Sequence, residues 1–150
     1  MRPQVYEFIK MLNLHGKTLD IGSLDINGSV KDLFTDYIGL DMRIGRNVDI
    51  QANSNFLPFK DSVFDNVLCL ETLEHDAQFW QTLVESKRVL KSNGTVAVTV
   101  PGIGFHKHEY PSDYWRFTEE GLRILLHGLK NVCVSEYEEI SGVFGYGKKV

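Results

Sequence analysis

The sequence predicts an α/β fold with a doubly wound, mainly parallel sheet, and three observations support this class. Short apolar runs alternate with segments whose apolar residues recur at helical spacing. A glycine turn directly follows the first run, and the run at 64–70 is almost continuously apolar, which is typical of a parallel strand covered on both faces. Right-handed crossovers then favour the strand order 3-2-1-4-5, with a C-terminal strand outside it. The length of 150 residues predicts one domain, residues 1–150.

Composition narrows the class of protein further. The chain is 43% hydrophobic and 24% charged, as in ordinary globular proteins, and no apolar run is long enough for a membrane span. A net charge of -4 without a lysine or arginine run argues against a nucleic-acid partner. The N-terminus lacks a signal-peptide pattern, and Cys69 and Cys133 lack metal-type spacing. We therefore expect a cytoplasmic protein with no membrane association.

The N-terminal half begins with an amphipathic helix. Val5, Phe8 and Ile9 follow helical spacing, which predicts a helix over residues 3–13 that Gly16 ends. Four further elements are predicted in this half: a strand near 17–21, a helix near 27–35, a strand at 36–41 and a short third strand at 48–50.

The C-terminal half continues the alternation of strands and helices. Asp76 is predicted to cap a helix that Asn93 and Gly94 stop, and Thr118 to cap another. Strands are predicted at 95–100 and 132–137. Because 142–150 contains three glycines and few strand-forming residues, we expect a seventh strand that is short or absent. An uncovered sheet edge would then favour a homodimer.

A ligand site is predicted where the first strand ends. Gly22 lets the backbone turn after this strand, and a crevice beyond a strand's carboxyl end is the usual place for a nucleotide-like ligand. Asp41 ends the next strand, about 20 residues later, at the spacing that places a carboxylate beside a ribose. The dinucleotide fingerprint would also need glycines at 24 and 27, where the chain has Leu24 and Asn27. A nucleotide-dependent oxidoreductase is therefore disfavoured.

Six segments of the chain form an ordered set of motifs: Leu-Asp-Ile-Gly at 19–22, Gly-Leu-Asp-Met at 39–42, Leu-Pro-Phe-Lys-Asp-Ser-Val-Phe-Asp at 57–65, Leu-Glu-His at 73–75, Arg-Val-Leu-Lys-Ser-Asn-Gly at 88–94 and Asp-Tyr-Trp-Arg-Phe-Thr at 113–118. In their order and spacing they resemble one family, the class I S-adenosylmethionine-dependent methyltransferases, and most closely its type 11 group. The resemblance implies a Rossmann-like sheet, S-adenosylmethionine as cofactor and methyl transfer to a small-molecule acceptor. It says little about which acceptor, an O, N or C nucleophile, is used.

The resemblance also implies a set of cofactor-binding residues. Asp20 would lie under the methionine moiety beside the turn residues Gly22 and Ser23, and Asp41 would bind the ribose. Met42 would lie against the adenine.

Two more segments complete this set of implied contacts. Asn53, with Ser54, stands where the family has an acidic residue for the adenine amino group, and its amide oxygen can still accept that hydrogen bond. Leu70 and Glu71 match the segment beneath the methionyl part of the cofactor.

The segment from Gly102 to Phe117 is rich in His, Tyr and Trp and follows a strand's carboxyl end, where a lid over the acceptor would lie. Its bland interpretation is a loop pinned by its own aromatic residues. Within it we favour His106 or His108 as general base, ahead of Tyr110 and Asp113.

Two alternatives concern the chemistry. His75, His106 and His108 with Glu109 suggest a metal, but their spacing is not that of a helical zinc pair, so no metal site is expected. The incomplete glycine turn, Asn53 and the short C-terminus leave open a non-catalytic S-adenosylmethionine-binding or interaction module of the same fold.

Overall fold

The computed structural model describes residues 1–108 and 112–150. In this part of the chain, seven strands form one sheet: β1 (Thr18–Ile21), β2 (Tyr37–Asp41), β3 (Ile50–Gln51), β4 (Phe64–Leu70), β5 (Leu90–Pro101), β6 (Lys130–Tyr137) and β7 (Gly142–Lys148). Three α-helices accompany the sheet: α1 (Pro3–Leu12), α2 (Phe79–Val89) and α3 (Glu119–Leu125).

The strand order is β3-β2-β1-β4-β5-β7-β6, which confirms the predicted order 3-2-1-4-5 with a C-terminal strand outside it. Strands β1 to β5 pair in parallel, and β7 lies antiparallel between β5 and β6. Ile21, the last residue of β1, lies opposite Leu40 of β2 and Cys69 of β4. The carboxyl ends of these three central strands therefore meet at one edge, where open α/β sheets bind ligands.

Both faces of the sheet are covered by apolar side chains. One core joins Leu19, Val67 and Val98 to Leu83 of α2 and Leu122 of α3. The opposite face is a second core, which packs Leu68, Ala97 and Phe144 of the sheet against Val5 and Ile9 of α1. Alternate residues of β4 thus point into different cores, which explains why this strand reads as a continuous apolar run.

The seventh strand is present, although its glycines predicted a short or absent one. Strand β7 pairs with β5 over seven residues, from Gly142 to Lys148. Its glycines allow close packing: a Cβ at Gly145 would lie 3.0 Å from Val134 Cγ2 and 3.1 Å from Leu126 Cδ1. Because Leu126, at the end of α3, and Val134, on the neighbouring strand β6, lie close to the backbone here, glycine marks a close approach and not the end of the sheet.

The helix predicted near 27–35 is wrong. A single 3-10 turn, Lys31–Leu33, replaces it. Asp25 Oδ1 accepts from the Gly28 N–H at 2.8 Å and Ser29 Oγ accepts from the Lys31 N–H at 3.0 Å. These local side-chain bonds satisfy donors that a helix would use, so they compete with helix formation.

The boundary between α2 and β5 also differs from the prediction. Helix α2 ends at Val89 and β5 begins at once with Leu90, so Asn93 and Gly94 lie inside the strand. Asn93 has a φ of 64°, and a Cβ at Gly94 would lie 2.8 Å from the Asp65 carbonyl oxygen. The Asn-Gly pair marks a register shift between β4 and β5 and not a helix end.

Among the described residues, no helix is long and apolar enough to cross a bilayer. Strand β6 forms one outer edge of the sheet. Homodimerisation through such an edge stays a prediction.

Candidate functional site

A cleft of about 570 Å³ opens beyond the carboxyl ends of β1, β2 and β4. Its lining includes six of the residues that the sequence proposed as cofactor ligands: Gly22, Asp41, Met42, Asn53, Ser54 and Glu71. They come from three strand ends and the loop after β3, so the parallel register brings them together. The volume lies within the range of small-molecule sites.

Gly22 forms the floor of the turn after β1. Its φ of 79° lies in the left-handed region, and a Cβ there would collide with Thr72 Oγ1. That hydroxyl donates to the Ile21 carbonyl at 3.0 Å. The turn therefore requires glycine both for its conformation and for the close approach of the segment after β4.

Asp41 ends β2 with a carboxylate that is already held in place. It is 8% exposed. The Arg43 N–H donates to Oδ1 at 2.8 Å and the Leu24 N–H to Oδ2 at 3.4 Å. Each carboxylate oxygen can accept more than one hydrogen bond, so the group keeps acceptor capacity toward the cleft while its position is fixed.

Glu71 follows β4 in a strained conformation. Its φ is 52°, and its N–H donates to the Thr99 carbonyl at 2.9 Å. Oε2 accepts from Arg2 Nη2 at 2.6 Å, whereas Oε1 is buried and has no hydrogen-bond partner among the described residues. A buried acceptor on the cleft wall suits a cationic or N–H-bearing group of a ligand.

The other three proposed cofactor ligands lie behind the cleft wall. Burial raises the pKa of Asp20 to about 7, opposed by a hydrogen bond from the Tyr37 hydroxyl and assisted by the charge of Asp41. Ser23 donates to the Asn47 carbonyl at 2.9 Å, and Leu70 belongs to the α1 core.

The loop from 102 to 117 is anchored beside the cleft where it is described. The Tyr114 N–H donates to the Glu74 carbonyl at 2.8 Å, and Trp115 Nε1 donates to the Asp76 carbonyl at 2.9 Å. Phe79 of α2 packs edge-on against Trp115 and Phe117, with ring centroids 5.4 and 5.2 Å apart. Ser112 and Tyr114 line the cleft. The loop is thus pinned by aromatic contacts and also borders the cleft, and its role as a lid over an acceptor stays a prediction.

The two histidines proposed as bases do not line this cleft. His106 is exposed and stacks on Phe105, with ring centroids 4.5 Å apart. His108 is half-buried behind His75, with 4.9 Å between ring centroids. Tyr110 and Glu109 lie outside the described residues. Asp113 accepts two bonds from Arg116, which hold the pKa of its carboxyl well below the usual range.

Sequence reasoning missed a buried carboxylate next to the cleft. Glu74 is fully buried, and neither of its carboxylate oxygens has a hydrogen-bond partner among the described residues. Burial raises its pKa well above the usual range, and the charge of Glu71 adds to the effect. His75 Nε2 lies 3.6 Å and His108 Nε2 3.9 Å from Glu74 Oε1. The Leu-Glu-His motif at 73–75 contains Glu74 and His75, but nothing in the sequence linked these two residues to His108.

The fold and the cleft define a class, the Rossmann-like α/β proteins that bind a nucleotide-like cofactor beyond the central strands. Comparison with known families specifies it further. Residues 15–98, more than half of the chain, match the family described as "Methyltransferase domain". The chain belongs to this family.

Solved structures of methyltransferases share the whole fold. An S-adenosylmethionine-dependent methyltransferase from Thermotoga maritima is 21% identical, with a TM-score of 0.81 over 97% of this chain and 88% of that one. A Burkholderia thailandensis 1,6-didemethyltoxoflavin-N1-methyltransferase, solved with 1,6-didemethyltoxoflavin and S-adenosylhomocysteine, is 15% identical. Its TM-score is 0.74, over 99% of this chain and 77% of that one.

A relative among curated proteins covers only part of the chain. It is an uncharacterized protein of Methanocaldococcus jannaschii, 36% identical over 75 residues. The match spans 47% of this chain and 33% of that protein's length.

Proposed function

We propose that this protein transfers a methyl group from S-adenosylmethionine, its cofactor, to a small-molecule acceptor with an O, N or C nucleophile. The observation that carries the proposal is the position of Asp41, at the end of β2 in the cleft of a methyltransferase-family fold. Its fixed carboxylate suits the two vicinal hydroxyls of a ribose, and its spacing from the glycine turn is that of a ribose ligand.

The residues present fit this cofactor. The buried and unpartnered Oε1 of Glu71 offers an acceptor for the ammonium group of the methionyl part. Met42 and Asn53 line the same cleft and would contact the adenine, the first with its polarisable sulfur and the second with its amide oxygen. When bound, the cofactor would supply a methyl group attached to a sulfonium sulfur, and the neutral thioether that remains after transfer is a good leaving group.

The protein's own contribution is therefore mainly positioning. An in-line displacement needs the nucleophile, carbon and sulfur aligned, which the rigid turn at Gly22 and the held carboxylate of Asp41 favour. Tyr114 and Ser112 border the cleft and would exclude water from the acceptor side. A general base is optional for thiolate or amine acceptors. For an alcohol we keep His106 and His108 as candidates, although neither lines the cleft in this structure.

Calorimetry with S-adenosylhomocysteine tests the cofactor site. We expect 1:1 binding, and Asp41→Ala should weaken it by about 1.5–3 kcal/mol because charged hydrogen bonds to the ribose are lost. The matched control is Asp36→Ala, an exposed aspartate at the opposite end of β2. Equal affinities in the two variants would remove Asp41 from the ribose site.

A second assay tests turnover. Production of S-adenosylhomocysteine is measured over a panel of alcohol, amine, thiol and carbon acceptors. Turnover above the background without acceptor supports the enzyme. Tight cofactor binding with no turnover on any acceptor would favour the non-catalytic binding module.

A further inference from the structure

Three side chains of the types that bind metal ions lie close together beside the cleft. The proposed methyl transfer gives this cluster no joint role. The carboxylate of Glu74 and the ring nitrogens of His75 and His108 offer one atom each, all within 4.8 Å of one another. The closest pairs are 3.6 and 3.9 Å apart, too long for hydrogen bonds between the Nε2 atoms and Glu74 Oε1. Donors of this kind around one ion, at about 2.1 Å each, would lie about 3.4 Å apart.

The proton positions of His75 suit an ion. Its Nδ1 makes a short contact with the Ser112 carbonyl oxygen. A carbonyl only accepts hydrogen bonds, so Nδ1 carries the proton and Nε2 keeps a lone pair. That lone pair belongs to the atom nearest Glu74, and a backbone carbonyl behind a metal-binding histidine is a common supporting contact.

His108 has a carboxylate near its other ring nitrogen. Its Nδ1 lies 3.4 Å from Asp113 Oδ2 without a hydrogen bond, and Arg116 fixes that carboxylate with bonds of 2.5 and 2.7 Å. The negative charge of Asp113 favours a proton on Nδ1, which leaves the lone pair on Nε2, 3.9 Å from Glu74 Oε1. Binding of an ion at Nε2 would strengthen this contact with Asp113, since carboxylates commonly support metal-binding histidines.

Glu74 is the observation that most requires an occupant. A fully buried carboxylate with two unpartnered oxygens is costly unless a cation or donor satisfies it. Nearby Arg2 and Arg116 donate to Glu71 and Asp113, and neither guanidinium group donates to Glu74, although Arg2 Nε has no partner among the described residues. Two imidazole lone pairs and one carboxylate are the ligand set of many catalytic zinc and other divalent transition-metal sites.

We propose that Glu74, His75 and His108 bind a divalent first-row transition-metal ion, for which Zn²⁺ is the probe. This departs from the expectation of no metal, which weighed His75, His106 and His108 with Glu109 and did not include Glu74. Three protein ligands leave coordination positions open, and His75 lines the cleft. This step rests on the proposed function: the oxygen of a methyl acceptor would bind the ion at an open coordination position, which would favour the ionised form of that oxygen.

The test is calorimetric titration of chelator-treated protein with Zn²⁺ in the absence of S-adenosylmethionine. We expect one ion per chain, with affinity lowered roughly 100-fold or more in both Glu74→Gln and His108→Asn. The matched control is His127→Asn, an exposed histidine outside the cluster, which should bind as the wild type does. The proposal is overturned if the wild type takes up no ion at 1:1, or if Glu74→Gln and His108→Asn bind Zn²⁺ as tightly as the wild type does.

Two further measurements keep the outcome clear. Replacing Zn²⁺ with Co²⁺ should give a visible spectrum without a thiolate charge-transfer band, since no cysteine belongs to the cluster. A thiolate band would assign the ion to exposed Cys133 and would overturn the proposed site. Thermal unfolding in chelator shows which variants fold. If Glu74→Gln does not fold, His108→Asn, which changes a loop residue, still tests the proposal. Zn²⁺ uptake and S-adenosylhomocysteine binding are measured separately, so failure of either proposal is distinguishable from failure of the other.

Discussion

Asp41 and Glu74 are both buried carboxylates beside the same cleft, yet their surroundings are opposite. Asp41 ends β2 and accepts hydrogen bonds from two backbone N–H groups. Glu74 follows β4 by four residues, and both of its oxygens lack hydrogen-bond partners among the described residues. The protein itself therefore supplies hydrogen bonds that fix the Asp41 carboxylate, whereas the Glu74 carboxylate would be compensated only by a bound cation or donor. The β2 side is therefore preformed, whereas the β4 side is electrostatically incomplete.

The largest expected effect is at Gly22, where the two sides touch. In Gly22→Ala the left-handed backbone costs about 1 kcal/mol, and the collision with Thr72 should add about 2 kcal/mol because overpacking displaces the segment after β4. Denaturant unfolding should show a total loss near 3 kcal/mol, together with weaker S-adenosylhomocysteine binding.

Gly128→Ala is the matched control for this substitution. Gly128 has a φ of 85°, but a Cβ there would meet no atom within 4 Å. Only the backbone strain remains, so the expected loss is about 1 kcal/mol. Equal losses in the two variants would mean that the contact between Gly22 and Thr72 does not join the two sides of the cleft.

The fold was largely predictable because its elements carry strong periodic signals. The alternating cores of β4 and the N-cap at Thr118, whose hydroxyl accepts from the Gly121 N–H, both follow from local sequence. The prediction for residues 27–35 was wrong because an Asn-Gly-Ser cluster can either cap a helix or form turns, and here local side-chain hydrogen bonds favour turns. Strand β7 was underestimated because a glycine's tolerance for close packing depends on which helix lies over it.

The site was only partly predictable for a similar reason. Asp41 could be proposed because parallel strands bring their carboxyl ends together in a known order. The approach of His108 to Glu74 depends on the path of a long loop and on the Arg116–Asp113 pair that holds it. No periodic pattern in the sequence encodes that path, so the carboxylate–histidine cluster emerged only from the structure.

Asp20 lies between the two cases and gives the next largest effect. It is 5% exposed and has one hydrogen bond, from Tyr37. Its pKa is raised to about 7 in the folded protein, chiefly by burial. Between pH 4 and 7, roughly, the folded protein keeps this proton while the unfolded chain has released it, so stability falls as pH rises. From pH 5 to 8 the loss of stability due to Asp20 should be about 2.5 kcal/mol.

Denaturant unfolding of wild type and Asp20→Asn at pH 5 and pH 8 measures this contribution. The asparagine oxygen can still accept from Tyr37 and does not ionise, so the variant should lose less stability across this range. The control is Asp36→Asn, an exposed residue whose substitution should leave the pH dependence unchanged. Parallel pH profiles for wild type and Asp20→Asn would show that this carboxyl does not titrate near pH 7.

The smallest expected effect addresses the opening comparison directly, through amide substitutions of near-identical shape measured in chelator. Asp41→Asn removes an acceptor from one backbone N–H and places an N–H₂ donor opposite it, so stability should fall by about 1 kcal/mol. Glu74→Gln removes a buried carboxylate that has no partner to lose, so stability should stay unchanged or rise. That one variant loses stability and the other does not matters more than the sizes. If Glu74→Gln lost as much stability as Asp41→Asn, the Glu74 carboxylate would already be satisfied within the protein, and the two sides of the cleft would be equally preformed.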